Sequence, residues 1–198
     1  MLDNLYQRES MVFIEPIKSM YISNYELQAY REGEFYLLNL IDATNLMDNG
    51  LAKNVFNAEE CKYYRLYKGQ ELTKEDSIIF DRVGGYGDLI ILSSIANFLK
   101  SKYGCKVDLC CGERFINVAM RNLGFDNAIV APLKLSQIKN YSYIGKFFGF
   151  IEGNEIDKET SMHEHYCNAL GIDFEEYSDY ANINGYTYYK TLIVTGKQ

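Results

Sequence analysis

From residue 77 onward, short apolar runs alternate with longer segments whose apolar positions recur every three or four residues. Residues 77–81, Ser-Ile-Ile-Phe-Asp, predict a short, mostly apolar strand, and the glycine turn Val83-Gly-Gly-Tyr-Gly-Asp88 follows it. Over residues 89–103, Ile91, Leu92, Ile95, Phe98 and Leu99 fall on one helical face, and Gly104 stands at the position of a helix C-cap. Residues 106–111 predict a second strand, 113–123 a second helix stopped by Gly124, and 127–131 a third strand ending at Pro132. Strands and helices joined by short connections imply a parallel sheet wound by right-handed crossovers. The fold class is therefore α/β, a Rossmann-like parallel sheet with helices on both faces. Further on, residues 147–151 predict another strand. Residues 158–170 predict a helix ended by Gly171, with Met162, Tyr166, Ala169 and Leu170 turned inward. Residues 191–195 read as a last strand. Residues 173–190 are tyrosine- and acid-rich without a clear period, and 173–179 read as a solvated loop.

Ahead of this core the pattern is less regular. Residues 11–14 and 20–22 predict strands, 25–31 a helix, 35–40 a strand, and 63–67 a β-prone aromatic run. Turn chemistry marks 31–34 and 47–50. A polar stretch at 69–77 separates the two regions. Residues 1–75 are thus expected as a small α+β N-terminal appendage, and residues 76–198 as the Rossmann-like domain.

Composition narrows the function classes. The 198 residues carry 20 Lys and Arg against 27 Asp and Glu, a net charge of −7, with no clustered basic stretch. Generic nucleic-acid binding is not expected. The longest apolar-dominated run, 89–99, contains two serines and an asparagine and is too short to span a bilayer. Asp3, Glu9 and Glu15 interrupt the first twenty residues, so no secretory leader is expected there, and the expected location is the cytoplasm. Five cysteines (Cys61, Cys105, Cys110, Cys111 and Cys167) without a C-x-x-C pair read as buried reduced thiols. The chain has 18 Tyr and no Trp, material for a tyrosine-rich surface, a homo-oligomer contact or a partner chain.

Candidate chemistry centres on the glycine turn. In an open parallel sheet, ligands bind outside the carboxyl ends of strands and near helix N-termini. Gly84, Gly85 and Gly87 let backbone N–H groups approach a ligand or let the turn adopt positive φ. Asp88 places a carboxylate at the helix start, where it can accept a proton from a substrate hydroxyl or simply cap the helix. The dinucleotide pattern G-x-G-x-x-G lacks its third glycine, and a P-loop would need a Lys-Ser or Lys-Thr that is not there.

The segment Ile78-Ile-Phe-Asp-Arg-Val-Gly-Gly-Tyr-Gly-Asp-Leu-Ile90 resembles the N-terminal half of glycosyltransferase family 9, the heptosyltransferases, whose first strand and turn read I-[IV]-R-x-G-x-x-G-D-[VL]. The helix at His163-Glu-His-Tyr-Cys-Asn-Ala-Leu-Gly-Ile172 is similar to the one that closes that family's first domain. The resemblance covers about residues 76–195. It implies a GT-B fold with an acceptor-side N-terminal domain and inverting transfer from a nucleotide-activated sugar, without a cofactor or metal. Asp88 would be the base. Arg82, Gly84, Gly85, Tyr86 and Gly87 would shape the substrate site, and the acceptor would be a sugar or glycan. The donor-holding domain would be missing from this chain and supplied from elsewhere. The alternative is a non-catalytic binding or assembly protein reusing the domain, such as a bacteriophage-encoded virion or scaffold component.

Other motifs read blandly. His163 and His165, two apart on a helix, point to different faces and do not make a metal pair. Cys167 and His163 lack an orienting group for nucleophilic catalysis. Tyr141, Tyr143, Phe147, Phe148 and Phe150 are expected in the core more than in a sugar-stacking cleft.

Overall fold

The computed structural model describes residues 10–23, 27–147 and 160–185. Its centre is a parallel sheet of four strands, β6 (Ser77–Asp81), β7 (Lys106–Cys111), β8 (Ala128–Val130) and β9 (Tyr143–Lys146), in the order β8-β7-β6-β9. The chain steps outward from β6 to β7 and β8, then returns to lay β9 on the other side of β6, which is the Rossmann pattern. The expected fold class holds.

Ile78, Ile79 and Phe80 have no exposed surface, because β6 is buried on both faces and flanked on both sides. Four helices cover one face: α2 (Tyr86–Tyr103), α3 (Ile116–Asn122), α5 (Met162–Leu170) and α6 (Phe174–Ile183). The short α4 (Leu135–Ile138) lies on the other face through Ile138.

Most of that second face is covered by the N-terminal region. β1 (Met11–Pro16) pairs antiparallel with both β4 (Tyr36–Asn39) and β5 (Ala52–Asn57), giving a three-stranded sheet ordered β4-β1-β5. Alternation along the strands decides what each residue meets. Met11, Phe13 and Leu37 pack against Ile79, Cys110 and Ile144 of the parallel sheet. Val12, Ile14, Tyr36 and Leu38 pack the opposite way, against Ala43 and Leu46 of α1 (Leu40–Asp48) and Tyr30. The result is four layers: helices, parallel sheet, antiparallel sheet, and an outer layer of α1 with the hairpin β2 (Met20–Ser23) and β3 (Leu27–Tyr30). The antiparallel sheet is also tied by backbone to the segment that follows β8: Leu37 N–H donates to the Leu133 carbonyl at 2.8 Å, and Leu135 N–H to the Phe35 carbonyl at 2.9 Å. Residues 65–67 run beside β9, where Ile144 N–H donates to Arg65 at 2.7 Å and Tyr67 N–H to Ile144 at 2.9 Å. That contact covers a sheet edge that would otherwise offer unpaired backbone.

Several expectations change. Residues 27–30 of the expected helix 25–31 form β3 instead, because Met20, Tyr21 and Ile22 pair across to Tyr30, Ala29 and Gln28. Residues 63–67 form no strand beyond an isolated bridge at Leu66. The fourth parallel strand is 143–146, which the sequence pattern does not predict; of the expected strand at 147–151 only Phe147 lies within the described residues. The supposed solvated loop at 173–179 belongs to α6, N-capped by the Asp173 side chain, which accepts from Glu176 N–H. Tyr36, Tyr67 and Tyr177 are core residues, not surface, and Tyr166 is buried as expected. Phe148, Phe150 and the strand at 191–195 lie outside the described residues. No helix among the described residues is long and apolar enough to cross a membrane.

The linker before β6 is locked to the end of α5 by two glycines. Gly171 (φ +65°) is the left-handed C-cap of α5, and Gly69 has φ +81°. A Cβ on Gly171 would lie 2.6 Å from the Lys68 carbonyl, so backbone itself blocks a side chain there. Gly171→Ala is expected to lose about 2 kcal/mol or more, from left-handed strain and this clash together. For a chain of this size the melting temperature should fall by roughly 4–8 °C in scanning calorimetry.

Candidate functional site

The carboxyl end of β6 sends two charged side chains to opposite faces of the sheet. Asp81 lies on the face toward the N-terminal sheet, alongside Cys110, its register partner in β7. Arg82 lies on the helical face, with its guanidinium 5.9 Å from the Tyr166 ring of α5. Strand alternation alone produces the divergence.

On the helical face, Arg82 meets Asp88. α2 begins at Tyr86, earlier than expected, so Asp88 is the third residue of its first turn and not the cap. Its Oδ2 reaches back to accept from Gly85 N–H at 2.8 Å, satisfying one of the donors a helix start leaves open. Its Oδ1 accepts from the Tyr166 hydroxyl at 2.6 Å and faces the Arg82 guanidinium at 3.4 Å. Arg82 is 6% exposed and Asp88 19%, so solvent reaches the carboxylate while its cation is buried.

The glycines do not act alike. Gly84, Gly85 and Gly87 all avoid positive φ. Only Gly84 is needed for space: a Cβ there would fall 2.5 Å from Asp88 Oδ2 and 2.9 Å from Arg82 Nε. Gly87 faces open space, and Tyr86 is 49% exposed at the first turn of α2. The structure thus joins Arg82, Gly85 and Asp88 by hydrogen bonds, packs Gly84 closely against them, and leaves Tyr86 and Gly87 at the margin.

Beside this unit, between it and the N-terminal sheet, lies a cleft of about 460 Å³, within the roughly 300–1,000 Å³ typical of small-molecule sites. Asp81, Arg82, Gly84, Gly85 and Arg114 line it from the carboxyl ends of β6 and β7. Gln28, Leu37, Asn39 and Asp42 line it from the N-terminal region, and Ala131, Pro132 and Leu133 from the segment after β8. Asp88 is not among these residues. Sequence reading missed this cleft. One signal was present: Asp81 occupies a position where the resembled motif carries Ile or Val.

Burial pushes the Asp81 carboxyl up to about 6; the Cys110 thiol hydrogen bond and the charges of Lys146 and Arg82 only partly oppose this. Asp81 in turn adds to burial in raising the Cys110 thiol and the Tyr64 phenol. Burial also raises Cys167, in keeping with an inert thiol. His163 stacks on Tyr177, a packing role. Tyr141 donates to Asp108 at 2.7 Å, and Phe147 packs on Phe80 and Tyr166. Among the described residues, no group of three or more His, Cys, Asp or Glu is placed to hold a metal ion.

Comparison of the chain with protein-family models, curated proteins and solved structures returned no match.

Asp81 makes stability depend on pH in a definite direction. Its folded pKa of about 6 lies above the ordinary value of 3.8, so between these the folded state keeps a proton that the unfolded chain has released. Stability from this group is full below pH 4 and is lost as the pH rises through 6, by about 3 kcal/mol. In urea unfolding, Asp81→Asn should match the wild type near pH 3 and exceed it by about 3 kcal/mol at pH 7. A pH-independent difference would rule out the assignment.

Proposed function

We propose that this chain is the acceptor-side domain of a heptosyltransferase-like glycosyltransferase, in which Asp88 takes a proton from an acceptor hydroxyl. The hydroxyl oxygen then bonds to the anomeric carbon of a nucleotide-activated sugar, and the nucleotide leaves with the electron pair of the broken bond. A second, donor-holding half presents that sugar. The observation that supports this reading is the placement of Asp88. It is a solvent-reached carboxylate in the first turn of α2, just outside the carboxyl end of the central strand, and it is held in one orientation by Gly85 N–H, Tyr166 and Arg82. Fixed orientation is what a general base needs. The fold is of the kind that domain would require, a parallel sheet ordered β8-β7-β6-β9.

The same bonds favour a second reading. Both Asp88 oxygens are already accepting, Oδ2 from Gly85 and Oδ1 from Tyr166. A carboxylate so occupied serves well as a structural clamp in a non-catalytic binding or assembly protein.

Substitution separates the two. Asp88→Asn keeps the size and an acceptor oxygen but cannot serve as a base. With nucleotide sugars as donors and aldohexoses or heptoses as acceptors, the transferase reading predicts a loss of transfer of about 100-fold or more. Unfolding free energy should fall by no more than about 2 kcal/mol, the range of a lost charge-assisted hydrogen bond. Transfer that persists within tenfold in Asp88→Asn removes Asp88 as the base. Sugar binding without turnover in the wild type, with a donor-holding half supplied in the assay, establishes the second reading.

A further inference from the structure

Among the described residues, three of the four outer edges of the two stacked sheets are protected. β9 is covered by residues 65–67, and β4 is bridged to Lys134. β5 carries the charged Lys53 and a bulge at Val55, where its register against β1 slips between Phe13 and Ile14. Charge and bulges are two of the ways in which natural sheets keep an edge from pairing. β8 has neither. Its residues Ala128, Ile129 and Val130 include no charge, proline or bulge, and Val130 is 42% exposed.

Parallel pairing decides which backbone groups of β8 face outward. Leu109 N–H donates to the Asn127 carbonyl, and Ala131 N–H to that of Cys111. The N–H and carbonyl of Ala128 and of Val130 therefore point away from β7. The side chains of these two residues share the helical face of the sheet, while Ile129 packs toward the N-terminal sheet. α3, the crossover from β7 to β8, runs antiparallel to β8 on that helical face. Asn117, Met120 and Arg121 lie on one side of α3, Glu113 extends that side into the turn before it, and all four are exposed.

A two-fold axis through Ile129, perpendicular to the sheet, matches this surface to itself. It sets β8 antiparallel to β8 of a second copy, with Ala128 of each opposite Val130 of the other. The outward N–H and carbonyl groups then exchange hydrogen bonds, and the larger Val130 side chain lies beside the smaller Ala128. The axis keeps both α3 helices on one face and reverses their directions. Arg121, at the end of one helix, thereby comes toward Glu113, ahead of the other. The edge is short, and the complement it meets in register, side-chain size and charge is another copy of itself.

We propose that the chain pairs with a second copy through β8 and the exposed side of α3, continuing the four-stranded parallel sheet into one of eight strands. The contact is isologous and uses both free edges, so assembly closes at two copies. It lies away from the Asp88 turn and does not rest on the transferase reading.

Sedimentation equilibrium of the full chain between about 1 and 200 µM should give a concentration-dependent mass that approaches twice 22.9 kDa. Val130→Lys, at an exposed position, puts a charge on the edge and should weaken association by about tenfold or more. Glu113→Arg and Arg121→Glu should each weaken it about threefold to tenfold at low salt, and the two together should return it to within about threefold of the wild type. Val55→Lys, on the bulged edge, should change it less than about twofold. In hydrogen exchange, the amides of Ala128 and Val130 should gain protection as the concentration rises. If Val130→Lys lowers the melting temperature, the pair of charge reversals decides the matter alone. A mass of one chain throughout, assembly beyond two copies, association unmoved by Val130→Lys in a folded protein, or charge reversals that do not restore one another would each overturn the proposal.

Discussion

A parallel sheet must be covered on both faces, since its strands are apolar on both, and this constraint organises the whole molecule. β6 shows it most directly: three successive residues, Ile78, Ile79 and Phe80, have no exposed surface. Four helices bury the face of Phe80. The face of Ile79 receives Met11, Phe13 and Leu37 from an antiparallel sheet that precedes the core in the chain. Helices on the second face are reduced to the single turn of α4, and the N-terminal strands do the rest. The N-terminal region is therefore one half of a shared core.

That arrangement also explains why the chemistry is divided. Where the strand leaves the sheet, the alternation that buried Ile79 and Phe80 on opposite sides continues into Asp81 and Arg82. Arg82 is captured by Asp88 and Tyr166 among the helices. Asp81 is left beneath the N-terminal sheet, in a low-dielectric setting that resists its ionisation. One strand end thus borders both the clamped carboxylate of Asp88 and the polar cleft that Asp81 lines.

Much of the core was legible because its signals were local. The apolar face of α2, the strands at 77–81 and 106–111, and the left-handed glycines Gly104, Gly124 and Gly171 are each set by residues close in sequence. β9 was not predicted because Tyr-Ile-Gly-Lys is short and carries a glycine, which normally counts against a strand. Here glycine is required, since a Cβ on Gly145 would lie 2.6 Å from the Phe80 ring. α6 was hidden because its buried positions, Tyr177 and Ala181, sit among acidic residues and half-polar tyrosines that blur the period. β3 has only four residues and half of β5 is polar, so neither carries a clear apolar alternation of its own, and their pairing partners make them strands. The Asp88 turn was recognised as a site, but its link to Tyr166 spans most of the domain. The cleft was invisible for the same reason: its walls are far apart in the chain and meet only once folded.

The bonds from Leu37 to Leu133 and from Phe35 to Leu135 carry a consequence for biosynthesis. Strands β1 and β4 leave the ribosome well before the segment that receives them. Until β6 through β9 have been made, the face bearing Met11, Phe13 and Leu37 has nothing to pack on, and long-range pairings of this kind form late. A nascent chain paused in that interval shows an uncovered apolar sheet to its surroundings, the situation in which chaperones bind and aggregation begins. The element that completes the finished core is thus also the part of the growing polypeptide that waits longest for protection.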